Sequence, residues 1–185
     1  MRVMNRRSMI GTLLAAPWLA SRAGEVSDVD VPYVTTPQNV VDAMLELAGV
    51  GPGDRLLDLG SGDGRIVITA ARRFGIPALG IEIDPRLVAQ AERSARQAGL
   101  GHLARFRVDD LFVADLSGFS VITLYLLPEV NLRLRPRLRQ LARGTRIVSH
   151  DWDMGDWPAE RTIEVDAPDK PVGRRKTSRL MLWTI

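Results

Sequence analysis

The chain has 185 residues, enough for one domain with a real core and too few for two comfortable ones, and its 45% hydrophobic and 25% charged content is ordinary for a globular protein. The pI of 9.9 is not a nucleic-acid signal, because residues 1–23 hold four arginines and no acid, and the remainder sets 21 basic against 22 acidic residues, so no nucleic-acid partner is expected. There is no cysteine and there are two histidines, His102 and His150, which excludes disulfides and thiolate catalysis and leaves little from which to build a metal centre.

Residues 1–23 read as a targeting segment. Asn5-Arg6-Arg7-Ser8-Met9-Ile10 resembles a twin-arginine export signal, and residues 9–20 are an apolar run of signal length, too short to span a bilayer. Ser21-Arg22-Ala23 puts small residues at the cleavage positions. The expectation is a periplasmic or membrane-anchored protein, with membrane association through this segment. A start at Met4 or Met9 would instead leave it cytoplasmic. Residues 24–185 form the expected single domain.

Thr36 and Pro37 predict an N-cap and first helical residue, with Val40, Val41, Met44, Leu45 and Ala48 at helical spacing and Gly49 as the stop. A short apolar strand over Leu56-Leu57-Asp58-Leu59 follows, then a glycine turn, then a helix over residues 65–74. Residues 78–83 predict a second strand. Asp84 caps and Pro85 starts a helix to about Ala98. Strands are predicted over residues 105–108, 120–126, 145–149, 161–165 and 180–185, with a helix from Pro128 or Glu129 to about Ala142. Alternating strands and helices predict an α/β, Rossmann-like, mostly parallel seven-stranded sheet with helices on both faces. The last two strands have no helix between them, so one strand is expected to be antiparallel.

The glycine turn carries the chemistry. Gly60, Ser61, Gly62, Asp63 and Gly64 follow Asp58 as D-x-G-x-G-x-G at a helix N-terminus, where free N–H groups suit a carboxylate or phosphate. A dinucleotide loop, G-x-G-x-x-G, places its third glycine one residue later. Two carboxylates, Asp58 and Asp63, would repel a pyrophosphate. They suit a ligand with a carboxylate at one end and cations nearby, the pattern of S-adenosylmethionine. Glu82 ends the second strand 18 residues after Gly64 and is placed for ribose hydroxyls. Asp110, with Asp109 as its alternative, ends the third strand and is placed for the adenine amino group.

The acceptor side is read from the next two strand ends. Tyr125, in Tyr125-Leu126-Leu127-Pro128, is either an aromatic wall for the methyl group or a core residue. Ser149-His150-Asp151-Trp152-Asp153 follows the fifth strand. His150 or Asp151 is a candidate proton acceptor, and a structural hydrogen-bonding role for His150 is the alternative. Asp151, Asp153 and Asp156 are expected to attract a cationic acceptor past Trp152 and Trp157.

The D-x-G-x-G-x-G loop resembles the first motif of class I methyltransferases. Val31-Pro32-Tyr33-Val34 with Thr36-Pro37, Asp58 to Arg65, Tyr125-Leu126-Leu127-Pro128 and Val148-Ser149-His150 occur in order. Together they resemble the ATP synthase c-subunit lysine methyltransferase family and its bacterial relatives, over about residues 31–165. The resemblance implies a class I fold, S-adenosylmethionine as cofactor, and methylation of a lysine on a protein partner. A small-molecule methyltransferase and a non-catalytic module that binds the same ligand are the alternatives.

Overall fold

The computed structural model describes residues 33–173 and 175–185; the expected targeting segment and Val31-Pro32 lie outside them. The elements in chain order are α1 (Gln38–Leu47), β1 (Leu56–Leu59), α2 (Arg65–Phe74), β2 (Ala78–Glu82), α3 (Pro85–Gln97), β3 (Ala104–Val108), β4 (Val121–Leu124), α4 (Pro128–Leu138), β5 (Arg146–His150), β6 (Arg161–Asp166) and β7 (Thr177–Thr184). The seven strands form one sheet in the order β3-β2-β1-β4-β5-β7-β6. Strands β1 to β5 pair in parallel, and β7 runs antiparallel to both β5 and β6. The expected seven-stranded architecture with one antiparallel strand is therefore present. The chain winds outward from β1 to β3 and then returns to β4 on the other side of β1. This reversal leaves a crevice above the carboxyl ends of β1 and β4.

The two faces of the sheet follow from a period of two along each strand. Leu56, Val121, Val148 and Leu180 join the cluster under α1, α2 and α3. Leu57, Leu59, Ile122, Leu124, Ile147, Met181 and Trp183 face α4 on the other side. The same alternation puts Asp58, Thr123 and His150 on the α1 face, at the strand ends where the apolar run stops.

Local chemistry sets the element ends. Asp84 Oδ1 accepts the Arg86 N–H at 2.8 Å and Pro85 opens α3, as the sequence predicts. At α1 the expected cap is absent: Thr36 spends its hydroxyl on His150 Nδ1, 3.3 Å away, and the helix begins after Pro37 without a side-chain cap. Strand β4 stops at Leu124, shorter than predicted, because its partner β1 turns into the glycine loop after Leu59. Helix α4 ends at Leu138 rather than near Ala142. Pro136 lies inside its last turn, and the chain leaves through the tighter bonds Gln140 N to Arg137 O and Leu141 N to Leu138 O. Strand β7 starts three residues before the predicted Leu180, because Thr177 pairs with Asp166 of β6.

Candidate active site

The glycine loop is folded by its own backbone. Gly60 and Ser61 N–H both donate to Ile81 O at 2.9 Å, and Gly64 N–H donates to Ser61 O at 2.8 Å. Gly60 (φ 76°) and Gly62 (φ 51°) take left-handed conformations. A Cβ at Gly60 would lie 2.7 Å from Leu126, and one at Gly62 would lie 2.5 Å from the Tyr33 ring. Glycine is thus required where the segment before α1 and the segment after β4 close on the loop.

Three carboxylates converge there, each in a different setting. Asp58 is 2% exposed and accepts the Thr123 hydroxyl at 2.7 Å from the neighbouring strand. Burial pushes its carboxyl up to about 7; the Thr123 bond opposes this, and Glu82 and Asp63 add to it. Asp63 does not face the ligand space freely. Arg65 grips it with Nε to Oδ1 at 3.0 Å and Nη2 to Oδ2 at 2.6 Å, and Arg65 Nη1 reaches Thr36 O at 2.6 Å. Burial alone would raise the Asp63 carboxyl, but these Arg65 bonds hold it below its ordinary value. Glu82 accepts Gly62 N–H on Oε2 at 3.0 Å, and Ile83 and Asp84 N–H on Oε1 at 2.8 and 3.1 Å. It therefore fixes the loop, with about one of its four lone-pair positions left over.

The remaining cofactor-side candidates separate in the same way. The Ser61 hydroxyl is buried without a partner among the described residues, turned toward Gly80, so only its backbone faces the crevice. Asp109 pairs with Arg107 at 2.8 Å, which leaves Asp110 exposed at the rim, capping its own turn through Phe112 N–H. Sequence reasoning missed the apolar rim beside these acids. Ile83 is 68% exposed, Val113 74%, and Val108, beside Glu82 in the ladder, 49%. Exposed aliphatic surface at the carboxyl ends of buried strands calls for an apolar partner. The signal available was an apolar residue beside each strand-terminal acid.

The fit to an adenosyl-methionine ligand rests on this chemistry. A cation placed among Asp58, Asp63 and Glu82 relieves their mutual repulsion, and a planar base can cover Ile83 and Val108 beside Asp110. Leu126 borders the loop from the β4 side.

On the acceptor side, Tyr125 stacks on the His150 imidazole with ring centroids 3.8 Å apart. Its hydroxyl donates to Asp151 Oδ2 at 3.4 Å, and burial followed by the nearby Asp151 charge pushes the phenol up to about 12. A cavity of about 560 Å³ is lined by Tyr125, Asp151, Trp152, Lys170, Arg175 and Arg179, among others. His150 does not line it. The imidazole is fully buried under Tyr125, with Nε2 2.8 Å from Ser178 Oγ and Nδ1 facing Thr36. Burial lowers it to about 4, with Asp151 opposing and Lys170 reinforcing the shift. The expectation that His150 reaches an acceptor is corrected accordingly: it is the base on which Tyr125 rests.

The expected acidic lure is corrected too. Asp151 pairs with Lys170 at 2.7 Å, Asp153 lies 3.7 Å from Arg179, and Asp156 is bound by Arg135. Trp152 is 41% exposed at the cavity, whereas Trp157 packs against Trp183 in the core. Asn131, buried in α4, holds this loop by donating to Ser149 Oγ at 3.2 Å and Trp152 O at 3.1 Å.

A sheet ordered 3-2-1-4-5-7-6, with an acid-flanked glycine loop at the end of β1 and a carboxylate at the end of β2, is that of the class I, S-adenosylmethionine-dependent methyltransferases. Comparison with known proteins gives the family: the model described as the ANTKMT methyltransferase domain matches residues 58–161, and the chain belongs to that family. It is 41% identical over 138 residues to a protein-lysine N-methyltransferase of Saccharolobus islandicus, covering 74% of this chain and 86% of that protein. It is 31% identical to the mouse ATP synthase c-subunit lysine N-methyltransferase over 72% of this chain, and spans 54% of that protein's length. A solved structure described as an RNA methyltransferase from Salinibacter ruber in complex with S-adenosyl-L-homocysteine is 52% identical, with a TM-score of 0.75, covering 82% of this chain and 94% of that one. The chain is a methyltransferase.

Proposed function

We propose that this enzyme methylates the side-chain amine of lysine in a protein. The observation that carries this reading is the half-buried Tyr125 wall of the cavity, stacked on the buried His150 one residue before the loop-contacting Leu126, in a chain whose relative at 41% identity is a protein-lysine N-methyltransferase. S-adenosylmethionine, when bound, supplies an electrophilic methyl group on a sulfonium. Asp58 would face its cationic end, the N-terminal end of α2 at the Gly60–Gly64 turn its carboxylate, Glu82 the ribose, and Asp110 with Ile83 the adenine. Tyr125, Leu126 and Trp152 would desolvate the incoming ammonium, lower its pKa and align the neutral amine with the methyl. Asp151, already paired with Lys170, would hold the Tyr125 hydroxyl in place.

The test is transfer of labelled methyl from S-adenosylmethionine to poly-lysine, to transcribed RNA and to a small-amine panel, followed by mass spectrometry of the product. Label on lysine is expected. Label on RNA alone would replace this reading with the one in the description of the Salinibacter ruber protein, and the methyltransferase class would stand.

For localisation we propose export directed by the twin-arginine-type segment at residues 1–23, with membrane association where that segment is kept. Fractionation of cells expressing the full chain and an Arg6→Lys, Arg7→Lys variant tests this. Equal cytoplasmic recovery of both would reject it.

A further inference from the structure

Lys170 is 8% exposed, in the segment between β6 and β7. Its Nζ lies 2.7 Å from Asp151 Oδ2 and donates to Thr177 O at 2.8 Å. Its own turn is fixed, because Lys170 N–H donates to Ala167 O and Lys176 Nζ donates to Lys170 O at 2.7 Å. Burying an ammonium is costly, and a buried ion pair is weak support for folding stability. This pair also stands on a strained backbone: Asp151 has φ 62°, a left-handed conformation for a residue with a Cβ.

The place where that cost is met is informative. Asp151 Oδ2 also faces the Tyr125 hydroxyl at 3.4 Å and His150 Nε2 at 3.5 Å, beside the wall of the acceptor cavity. The other charged groups on the cavity are Glu164 from β6, Arg175, and Arg179 from β7. An acceptor amine reacts only as the neutral base. A free Asp151 carboxylate would bind the entering ammonium and keep its proton on.

We propose that Lys170 is a positioning residue that neutralises Asp151, so that the acceptor lysine enters beside an ion pair instead of a free carboxylate and loses its proton to water. The inference rests on the protein-lysine reading. It assigns to a non-motif lysine the task of lowering the acceptor's proton affinity, as a neighbouring fixed cation does for catalytic amines elsewhere.

The experiment measures kcat and KM against pH with poly-lysine as acceptor, for the wild type, Lys170→Met, Lys170→Arg and the double variant Lys170→Met with Asp151→Asn. The thermal shift given by S-adenosylhomocysteine serves as the fold control. Lys170→Met is expected to move the rise of kcat about one pH unit alkaline, about a tenfold loss near neutrality, while KM falls. Lys170→Arg should keep the wild-type midpoint, and the double variant should return toward it, since no free carboxylate remains. A purely structural lysine would lower kcat at every pH with an unmoved midpoint, and that result overturns the proposal. If Lys170→Met does not fold, Asp151→Asn decides: it leaves the Lys170 ammonium unpaired beside the acceptor, so a midpoint moved acid supports the proposal, and an unmoved or alkaline midpoint overturns it. A wild-type enzyme that binds cofactor but never methylates lysine overturns the lysine reading itself. An active wild type with an unmoved Lys170→Met profile overturns this inference alone.

Discussion

Thr123 donates its hydroxyl hydrogen to Asp58 Oδ1 at 2.7 Å, from the residue that pairs with Asp58 in the β1–β4 ladder. It opposes the burial that lifts Asp58 from 3.8 to about 7. A cationic ligand favours the ionised carboxylate, so binding below neutrality should expel a proton and tighten with rising pH until about 7. Calorimetry of S-adenosylmethionine in buffers of different ionisation enthalpy measures that proton directly. Thr123→Val should enlarge the release and weaken binding near pH 6, whereas Asp58→Asn should abolish the release. A proton count of zero in the wild type would show that Asp58 is ionised before the ligand arrives.

Stability against pH should show two opposed slopes. Between about 3.8 and 7 the folded state binds more protons at Asp58 than the unfolded state, so this group makes stability fall as pH rises, with no further change above 7. His150, lowered from 6.5 to about 4, is neutral when folded but protonated when unfolded in that interval. It makes stability rise with pH between about 4 and 6.5. Urea melts across pH should become steeper downward in His150→Gln and lose the downward part in Asp58→Asn.

Glu82→Ala should weaken S-adenosylhomocysteine binding by about 1.5–3 kcal/mol or more, because a charged acceptor is lost from both the ligand and the Gly62 N–H. Glu82→Gln keeps an acceptor and should fall between. If calorimetry gives wild-type affinity for a folded Glu82→Ala protein, the carboxylate serves the loop alone.

Trp183 is 1% exposed in β7 and donates Nε1–H to Trp157 O at 3.0 Å. Trp183→Ala should cost about 3–5 kcal/mol of folding stability. Cofactor affinity should stay unchanged, since β4 and β5 separate β7 from β1 in the sheet.

The sheet and the cofactor loop are legible in the sequence because their signals are local. Alternating apolar residues set the strands, and Asp58 to Gly64 are contiguous. The acceptor side is not, because its meaning depends on who pairs with whom across the sheet. Asp151, Asp153 and Asp156 look like a free acidic cluster along the chain, yet Lys170, Arg179 and Arg135 reach them from other segments of the fold. His150 looks available because its burial is made by Thr36 and Ser178, which are 114 residues before it and 28 after it. Thr36 shows the same limit from the other side, since a residue well placed to cap a helix is claimed by a distant imidazole.

The outer strands of the sheet are β3 and β6, and both carry charge where a further strand would have to pair. Arg105 and Arg107 are exposed on β3, and Arg161, Glu164 and Asp166 line β6, three residues of a six-residue strand. An unpaired strand edge is a template for uncontrolled growth of the sheet between molecules, and charge along it is how soluble sheets prevent this. Neutralising one border, for example with Arg161→Val, Glu164→Val and Asp166→Val together, should leave the fold and the cofactor loop in place. The purified protein would then thicken into strand-paired aggregates on concentration, which light scattering and thioflavin fluorescence would register.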